Sequence, residues 1–241
     1  MSEQTQSRKS PLGRLIQIGR QVTSCYREAG AAALARQVRC AMWSREPYLV
    51  IRKELQSTEW PAQYDDFVFR VADLDDLPAI CRVWPESLRY IGPDVSAAVR
   101  RRMESGATCI VGHATGSPAN PAYFSWLCPH DYMLLTLLGT SPSNEHVCAK
   151  NLWVSTEFRR RHIAFRGQRF VETVAYERGY RSVWGFIASG NQASCALHDR
   201  LGYDRLGTLS FDRRFGRRLA TWQHEGRRQR LELCPPEKRV P

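Results

Sequence analysis

Residues 152–164 (Leu-Trp-Val-Ser-Thr-Glu-Phe-Arg-Arg-Arg-His-Ile-Ala) constrain the fold more than any other part of the chain. The apolar residues 152–154 predict a buried strand, residues 155–157 a turn, and the pattern of residues 163–179 a helix. Backbone N–H groups of a first helical turn are unpaired, and the helix dipole adds partial positive charge there. A strand that turns into a helix in this way therefore predicts an anion site at the turn.

Three consecutive arginines, Arg159, Arg160 and Arg161, bring formal positive charge to the same point. Guanidinium groups bind phosphate oxygens through paired hydrogen bonds. A run of three arginines is also typical of a solvated helix start, so the run alone does not identify a site. Together with the strand, the turn and the helix, it predicts that the ligand is a phosphate or a pyrophosphate.

The next part of the chain adds a second motif. Residues 181–188 have the length and composition of a strand, and the chain then reads Asn-Gln-Ala-Ser-Cys-Ala-Leu-His-Asp-Arg-Leu-Gly-Tyr from residue 191 to 203. This order resembles the GCN5-related N-acetyltransferase (GNAT) superfamily. The residues that carry the resemblance are, in the first motif, Leu152, Val154, Phe158, Arg159 and Ala164, and, in the second, Asn191, Ser194, Leu197, His198, Leu201, Gly202 and Tyr203.

Two residues depart from the family's pattern. Thr156 stands where proline is usual, and His162 stands where the family has a loop glycine. A glycine lets the backbone approach a pyrophosphate closely. His162 therefore either donates its own hydrogen bond to a phosphate or marks a loop that has lost tight cofactor binding.

The resemblance implies an α+β fold of three layers, with a central, mostly antiparallel, splayed sheet flanked by helices. It also implies transfer of an acetyl group from acetyl-CoA to a primary amine by direct attack in a ternary complex. The acyl–pantetheine arm would pair with the backbone of the central strand, the pyrophosphate would lie on the loop amides, and Asn191 would contact the pantetheine or close the loop. Asn191 is equally suited to cap the helix from Gln192. The implied cofactor-binding residues are Leu152, Trp153, Val154, Arg159, Arg160, Arg161, His162, Ile163, Ala164 and Asn191.

Acetyl transfer needs a base for the ammonium proton and an acid for the leaving thiolate. His198 stands where the family commonly has a tyrosine that acts as the acid. A histidine can also donate a proton or a hydrogen bond to sulfur. Glu145, just before the central strand, is a candidate base acting through water, with His146 and His113 as alternatives. Each of these residues also has an ordinary structural interpretation.

The order of predicted helices and strands divides the chain into three regions. Residues 1–65 form a basic helical extension with a short strand at 48–51 and a polar linker, residues 66–226 form the GNAT domain, and residues 227–241 form a basic tail. Within the domain we expect strands at 67–71, 108–114, 123–128 and 146–154, with a loop at 115–121. Helices are expected from 73, from 96 to 105 and from 192, and a hairpin at 205–224. Residues 132–138 fit either a strand or a helix.

Composition narrows the class of protein. The net charge of +11 favours binding of anionic partners such as nucleotides, nucleic acid, glycans or lipids. The same charge is also common in proteins whose basic surface only keeps them soluble. The eight cysteines have neither paired spacing nor metal-ligand spacing, which predicts reduced thiols, a cytoplasmic location and no bound metal. The sequence predicts no signal peptide and no membrane span. The basic N-terminal helices could still lie on an anionic membrane, although packing on their own domain is the more ordinary role.

Two other functions compete with acetyl transfer. The first keeps the fold but takes a longer acyl group, from acyl-CoA or from an acidic acyl-carrier protein that a basic surface would suit. The second is a non-catalytic GNAT-fold protein that binds nucleic acid or an assembly through its arginines, although no recognised nucleic-acid motif is present. The sequence does not identify the amine that accepts the acetyl group. Arginine-rich surroundings favour an anionic amine, such as an amino sugar on a nucleotide or glycan.

Overall fold

The structure is a computed structural model that describes residues 43–57, 60–64, 66–87, 95–139, 145–214 and 217–233. The predicted helices between residues 11 and 43 lie outside the described residues. Among the described residues, contacts group those of 46–211 and 219–233 into one compact unit, which contains the candidate site. No helix of the described residues is long and apolar enough to cross a lipid bilayer.

A single nine-stranded sheet organises this unit, and its spatial order is β2-β3-β4-β5-β6-β1-β7-β8-β9. Strands β5 and β6 pair in parallel, while the β1–β6, β2–β3, β3–β4, β4–β5 and β8–β9 pairs are antiparallel. The strands are β1 (Trp43–Glu54), β2 (Phe67–Val71), β3 (Thr108–Ala114), β4 (Ser117–Cys128), β5 (His146–Val154), β6 (Ser182–Ala188), β7 (Asp204–Arg214), β8 (Arg217–His224) and β9 (Arg227–Leu231).

The described part of the chain contains five α-helices: α1 (Leu77–Ser87), α2 (Val95–Glu104), α3 (Tyr132–Leu138), α4 (Ile163–Glu177) and α5 (Gln192–Arg200). Acidic caps begin two of the helical segments, as expected for free N–H groups at a helix start. Asp73 and Asp76 form a capping box on the 3-10 turn Leu74–Asp76 before α1. The Asp131 carboxylate accepts from the amides of Met133 and Leu134, which explains why the ambiguous segment 132–138 is a helix.

Alternating side chains of the strands divide the core into two faces. Ile51, Tyr123 and Val147 pack with α4 and with Leu201 and Tyr203 beyond α5. Their neighbours along the strands point the opposite way: Phe124 packs with α1 and α2, whereas Val50 and Cys148 pack with α3. The protein is therefore a three-layer α+β fold, as predicted.

Helix α4 approaches the sheet closely because a glycine faces it. A Cβ atom on Gly167 would lie 2.6 Å from the Tyr123 ring on β4, well inside any normal contact. Tyr123 is fully buried, so it has no open space into which to move. This contact fixes α4 against the centre of the sheet, with its N-terminus near the end of β5.

Strand β1 is an integral part of the sheet. It extends the predicted strand at 48–51 in both directions, and seven of its residues pair with β6 from Tyr48↔Ala188 to Glu54↔Ser182. Lys53 of β1 donates to Glu172 of α4 at 2.7 Å and to the Leu201 carbonyl at 2.7 Å. The domain boundary at residues 65 and 66 remains a prediction, but residues on both sides of it share one sheet.

Most predicted elements of the domain are confirmed, with two local differences. The segment 115–121, predicted as a loop, is a tight turn at Thr115 and Gly116 followed by the start of β4. Gly116 has φ +84°, which allows this turn, and the register is irregular where His113 pairs with Pro121. The first residues of the predicted basic tail form β9, which pairs with β8 from Ala220↔Leu231 to His224↔Arg227.

We predict that Ile51→Ala lowers the free energy of unfolding by about 2–5 kcal/mol, because Ile51 is buried in the core between β1 and α4. Urea unfolding with an unchanged slope would measure this change. Leu74→Ala is the control, since Leu74 is 52% exposed and should cost less than about 0.5 kcal/mol. Equal effects of the two changes would show that β1 is not part of the core.

Candidate functional site

Strands β5 and β6 separate soon after they begin to pair. Their parallel register comprises three pairs: His146↔Ser182, Val147↔Val183 and Cys148↔Trp184. Beyond them β5 continues with β4 on its other edge, and β6 continues with β1. Residues 149–154 of β5 therefore face an opening, with backbone groups on that edge available to a ligand.

A bulge lies in the open part of β5. Phe124 pairs with Trp153 and Trp126 with Lys150, so that Ser125 opposes both Asn151 and Leu152. Asn151 has φ +57°, the left-handed conformation that asparagine tolerates best among residues other than glycine. The bulge changes the direction of Leu152, Trp153 and Val154, the residues predicted to pair with the pantetheine arm.

The loop after β5 leads directly into α4. Residues Thr156–Phe158 form one 3-10 turn, and the Ser155 N–H donates to the Ala122 carbonyl at 2.9 Å. Two residues of the loop are left-handed, Arg160 with φ +66° and His162 with φ +58°. His162 thus adopts the backbone conformation that suits the glycine expected at this position. Its side chain is exposed.

The N-terminus of α4 has no side-chain cap. His162 occupies the N-cap position, and its side chain makes no capping hydrogen bond. The Arg166 N–H donates to the His162 carbonyl, whereas the N–H groups of Ile163 and Ala164 precede the first helical hydrogen bond. These amides and the helix dipole could bind an anion at the predicted position beside the opening in the sheet.

The three arginines of the loop are exposed, and no ion pair between described residues involves any of them. The Arg159 Nε donates weakly to the Val154 carbonyl at 3.4 Å, and the Arg161 guanidinium lies 5.7 Å from the Phe158 ring centroid. Within the described part of the chain, their charge is therefore not offset by a paired carboxylate.

Asn191 caps helix α5. Its side-chain oxygen accepts from the Ser194 N–H at 3.1 Å, and its own N–H donates to the Ala188 carbonyl at the end of β6. The structural interpretation of Asn191 is thus confirmed. Contact with a pantetheine arm remains a prediction, because the capping oxygen has a second lone pair.

His198 lies on α5 with 8% of its surface exposed. Its Nδ1 lies 2.8 Å from the Ser194 carbonyl oxygen and 3.4 Å from the Ser194 Oγ. Its ring meets the Tyr203 ring edge-on, with centroids 4.9 Å apart. Burial lowers the pKa of His198 below its ordinary value, and this effect outweighs the opposing hydrogen bond to Ser194 and the charge of Asp199.

The candidate bases lie elsewhere. Glu145 is exposed at the start of β5, about 30 Å along the strand from the loop, and it pairs with Arg181 at 3.2 Å. The neighbouring His146 contacts the Ser182 Oγ at 2.9 Å, at the closed end of the β5–β6 pair. His113 is buried on β3. Glu145 and His146 therefore lie at the opposite end of β5 from the loop.

A partly buried ion pair that the sequence did not predict lies beside the opening. Lys150 of β5 pairs with Asp131, whose side chain is 3% exposed and also caps α3. Burial opposes the charge of Lys150, but the carboxylate outweighs it and raises the lysine pKa. Lys150 is therefore a cation and is unsuited to act as the base. The contact joins residues nineteen positions apart, so no local pattern indicates it.

Several solved structures have a similar fold. No curated protein matches the chain significantly. Among solved structures, a putative GNAT acetyltransferase of Novosphingobium aromaticivorans superposes with a TM-score of 0.51 at 14% identity, covering 69% of this chain and 63% of that one. A GCN5-related N-acetyltransferase of Sphaerobacter thermophilus gives 0.50 at 14% identity, covering 88% and 71%. A Drosophila protein gives 0.52 at 12% identity, covering 83% and 58%.

These identities are low, so the solved structures establish the fold alone. The chain also spans less than two thirds of the length of the Drosophila and Novosphingobium proteins. A profile described as the acetyltransferase (GNAT) family matches residues 53–203. That match covers more than half of the chain, from Lys53 on β1 to Tyr203 after α5, and it includes both motifs. The protein therefore belongs to the acetyltransferase (GNAT) family.

Proposed function

We propose that the protein is an N-acetyltransferase that moves an acetyl group from acetyl-CoA to a primary amine by direct attack in a ternary complex. The observation that carries the proposal is the opening between β5 and β6, which lies next to the uncapped N-terminus of α4. An elongated ligand with a polar arm and a pyrophosphate needs these two features side by side. Family membership supports the acetyltransferase class.

The proposed fit to acetyl-CoA depends on hydrogen-bond donors of the backbone and on the arginine side chains beside the opening. The open edge of Leu152, Trp153 and Val154 offers strand-type hydrogen bonds to the amides of a pantetheine arm. The amides of His162, Ile163 and Ala164 offer donors to a pyrophosphate. The guanidinium groups of the loop, which form no ion pair among the described residues, add positive charge that suits phosphate oxygens. The left-handed backbone at His162 favours retained cofactor binding.

Catalysis in this proposal centres on His198, which the second motif places at the position of the family's acid. Glu145 remains the predicted base, but its exposed ion pair with Arg181 gives that role no support. The acceptor is proposed to be a small amine, with an anionic amino sugar as one candidate. Acyl-carrier protein as donor, contact of the N-terminal region with a membrane and a cytoplasmic location remain predictions.

The non-catalytic alternative keeps one supporting observation, the basic edge strand β9 with Arg227, Arg228 and Arg230 exposed. Charged residues on an edge strand also protect a sheet from unwanted pairing, which is the more ordinary role. Salt-dependent binding of nonspecific DNA or RNA would favour this alternative. The acetyl-CoA site is the better-supported function, because it rests on three neighbouring elements and not on charge alone.

The first test is acetyl-CoA binding by calorimetry, with the wild type and with Arg159→Ala combined with Arg161→Ala. We expect micromolar binding by the wild type and at least tenfold weaker binding by the double variant, a loss of about 1.4 kcal/mol or more. Arg181→Ala combined with Arg228→Ala removes the same formal charge away from the loop and should leave the affinity within about threefold.

Two results would contradict the proposal. Absence of binding at millimolar acetyl-CoA would exclude an acetyl-CoA site and make acyl-carrier protein, and then nucleic acid, the partners to test. Equal losses in the two double variants would show that general positive charge, and not the loop, attracts the ligand.

A second prediction concerns His162. At φ +58° an alanine is strained by about 1 kcal/mol relative to glycine, so His162→Ala should be less stable than His162→Gly by about that amount. We expect His162→Gly to bind acetyl-CoA at least as tightly as the wild type, because a glycine allows closer approach to the backbone. Thermal unfolding and calorimetry measure the two effects. A tenfold weaker affinity of His162→Gly would show instead that the imidazole itself binds a phosphate.

A further inference from the structure

A cavity lies away from the opening, between β1, α4 and the start of β7. Its volume is about 290 Å³. The lining includes charged and aromatic side chains: Lys53, Trp60, Arg169, Glu172 and Asp204. Lys53 pairs with Val183 beside the closed end of β6, whereas the open part of β6 begins after Trp184. The cavity is therefore distinct from the site proposed for acetyl-CoA.

The least exposed charged groups of the cavity carry more positive than negative charge. The Lys53 Nζ donates to the Glu172 Oε2 at 2.7 Å, and the Arg169 Nη1 donates to the same oxygen at 3.1 Å. The side chains of Lys53, Arg169 and Glu172 are 17%, 20% and 8% exposed. One carboxylate thus serves two cations that are largely removed from water. Because a buried charge without a counter-charge is costly, this cluster favours a further anionic group.

Two N–H donors beside this cluster also lack an acceptor. The Arg169 Nε and the Trp60 Nε1 are both buried, and no described residue accepts a hydrogen bond from either atom. The Arg169 guanidinium lies 5.0 Å from the Trp60 ring centroid, so the two donors belong to one packed pair. Buried N–H groups are almost always satisfied, and an unsatisfied one can mark the place of a missing partner. An oxyanion bound here would supply acceptor oxygens.

The mouth of the cavity has the opposite charge. Glu54 and Asp204 belong to its lining, and both are exposed. Glu54 pairs with Arg52, but Asp204 forms no ion pair with any other described residue. A simple anion would meet the Asp204 carboxylate. A ligand that carries an ammonium group next to its oxyanion would suit both the cationic wall and the acidic mouth.

The size of the cavity limits the ligand further. A volume of about 290 Å³ lies at the lower end of the range for small-molecule sites. We propose that the cavity binds a free amino acid, with its carboxylate on Lys53 and Arg169 and its ammonium group toward Asp204. This second site goes beyond the proposed acetyl transfer and does not depend on it, because none of these residues belongs to the opening or to the arginine loop.

Lys53 connects the cavity to helix α5. An ammonium group has three N–H donors, and the contacts with Glu172 and with the Leu201 carbonyl at 2.7 Å use two of them. A bound carboxylate would take the third. We therefore expect the amino acid to slow amide exchange in residues 169–173 and 201–204, and to leave exchange in residues 152–154 of the opening unchanged.

Calorimetry on the full chain tests the proposal, with each of the standard amino acids as a probe at millimolar concentration. We expect at least one of them to bind with one-to-one stoichiometry, and to bind equally with and without acetyl-CoA. The N-acetyl derivative of that amino acid lacks the ammonium charge, and its amide derivative lacks the carboxylate. Each derivative should bind at least about tenfold more weakly than the parent.

Variants locate the site. Arg169→Gln and Asp204→Asn should each weaken binding at least about tenfold, because each removes one charged contact. Arg166→Gln is the matched control, since Arg166 lies one turn earlier on α4 and pairs with Asp66 outside the cavity. Its affinity for the amino acid should stay within about threefold of the wild type. Because Asp204 is exposed, Asp204→Asn should fold like the wild type even where Arg169→Gln does not.

Three results would overturn the proposal. The first is the absence of binding by every amino acid. The second is an unchanged affinity in both cavity variants, which would place the ligand elsewhere, for instance as an acceptor amine at the opening. The third is an N-acetyl derivative that binds as tightly as its parent, which would show a site for simple anions. Binding without acetyl-CoA is measured separately, so failure of the proposed acetyl-CoA function would not be mistaken for failure of this site.

Discussion

The brief parallel pairing of β5 with β6 determines what the rest of the structure can do. After the third pair, Cys148↔Trp184, each strand keeps a partner only on its other edge, β4 for β5 and β1 for β6. An opening of this kind would expose unpaired backbone groups in most sheets, which is costly unless water or a ligand satisfies them. Gly167 lets α4 pack closely on Tyr123, and this contact sets the helix N-terminus beside the opening.

Strand β1 stabilises β6 by pairing with the edge of β6 that faces away from β5. It pairs with β6 along the whole length of the opening, and it lies between β6 and β7 in the sheet. Lys53 connects this strand to Glu172 on α4 and to the carbonyl of Leu201 at the end of α5. Residues before the family match thus help to hold β6 in place.

The strand, turn and helices of the candidate site are predicted from the sequence better than the elements around them. The strand, turn and helix of residues 146–164 can be predicted because their local signals follow one another along the chain. The second motif can be recognised because its residues stand at fixed offsets around Asn191 and His198. Two contacts could not be predicted from local patterns, because the insertion of β1 beside β6 and the Lys150–Asp131 ion pair join segments distant in sequence. Strand β9 follows β8 after a two-residue turn, but its exposed, arginine-rich residues lack the apolar alternation that predicts a strand. The role of Glu145 as base was inferred from proximity along the chain, which the geometry of β5 does not support.

The central claim is that one ligand occupies both the open edge of β5 and the amides of the α4 N-terminus. Backbone amide exchange of the full chain, with and without acetyl-CoA, tests it directly. The account predicts protection of residues 152–154 and 162–164 together, with β9 unchanged as an internal reference. Unchanged exchange in both segments at saturating acetyl-CoA, or protection only at β9 and other basic surfaces, would contradict it.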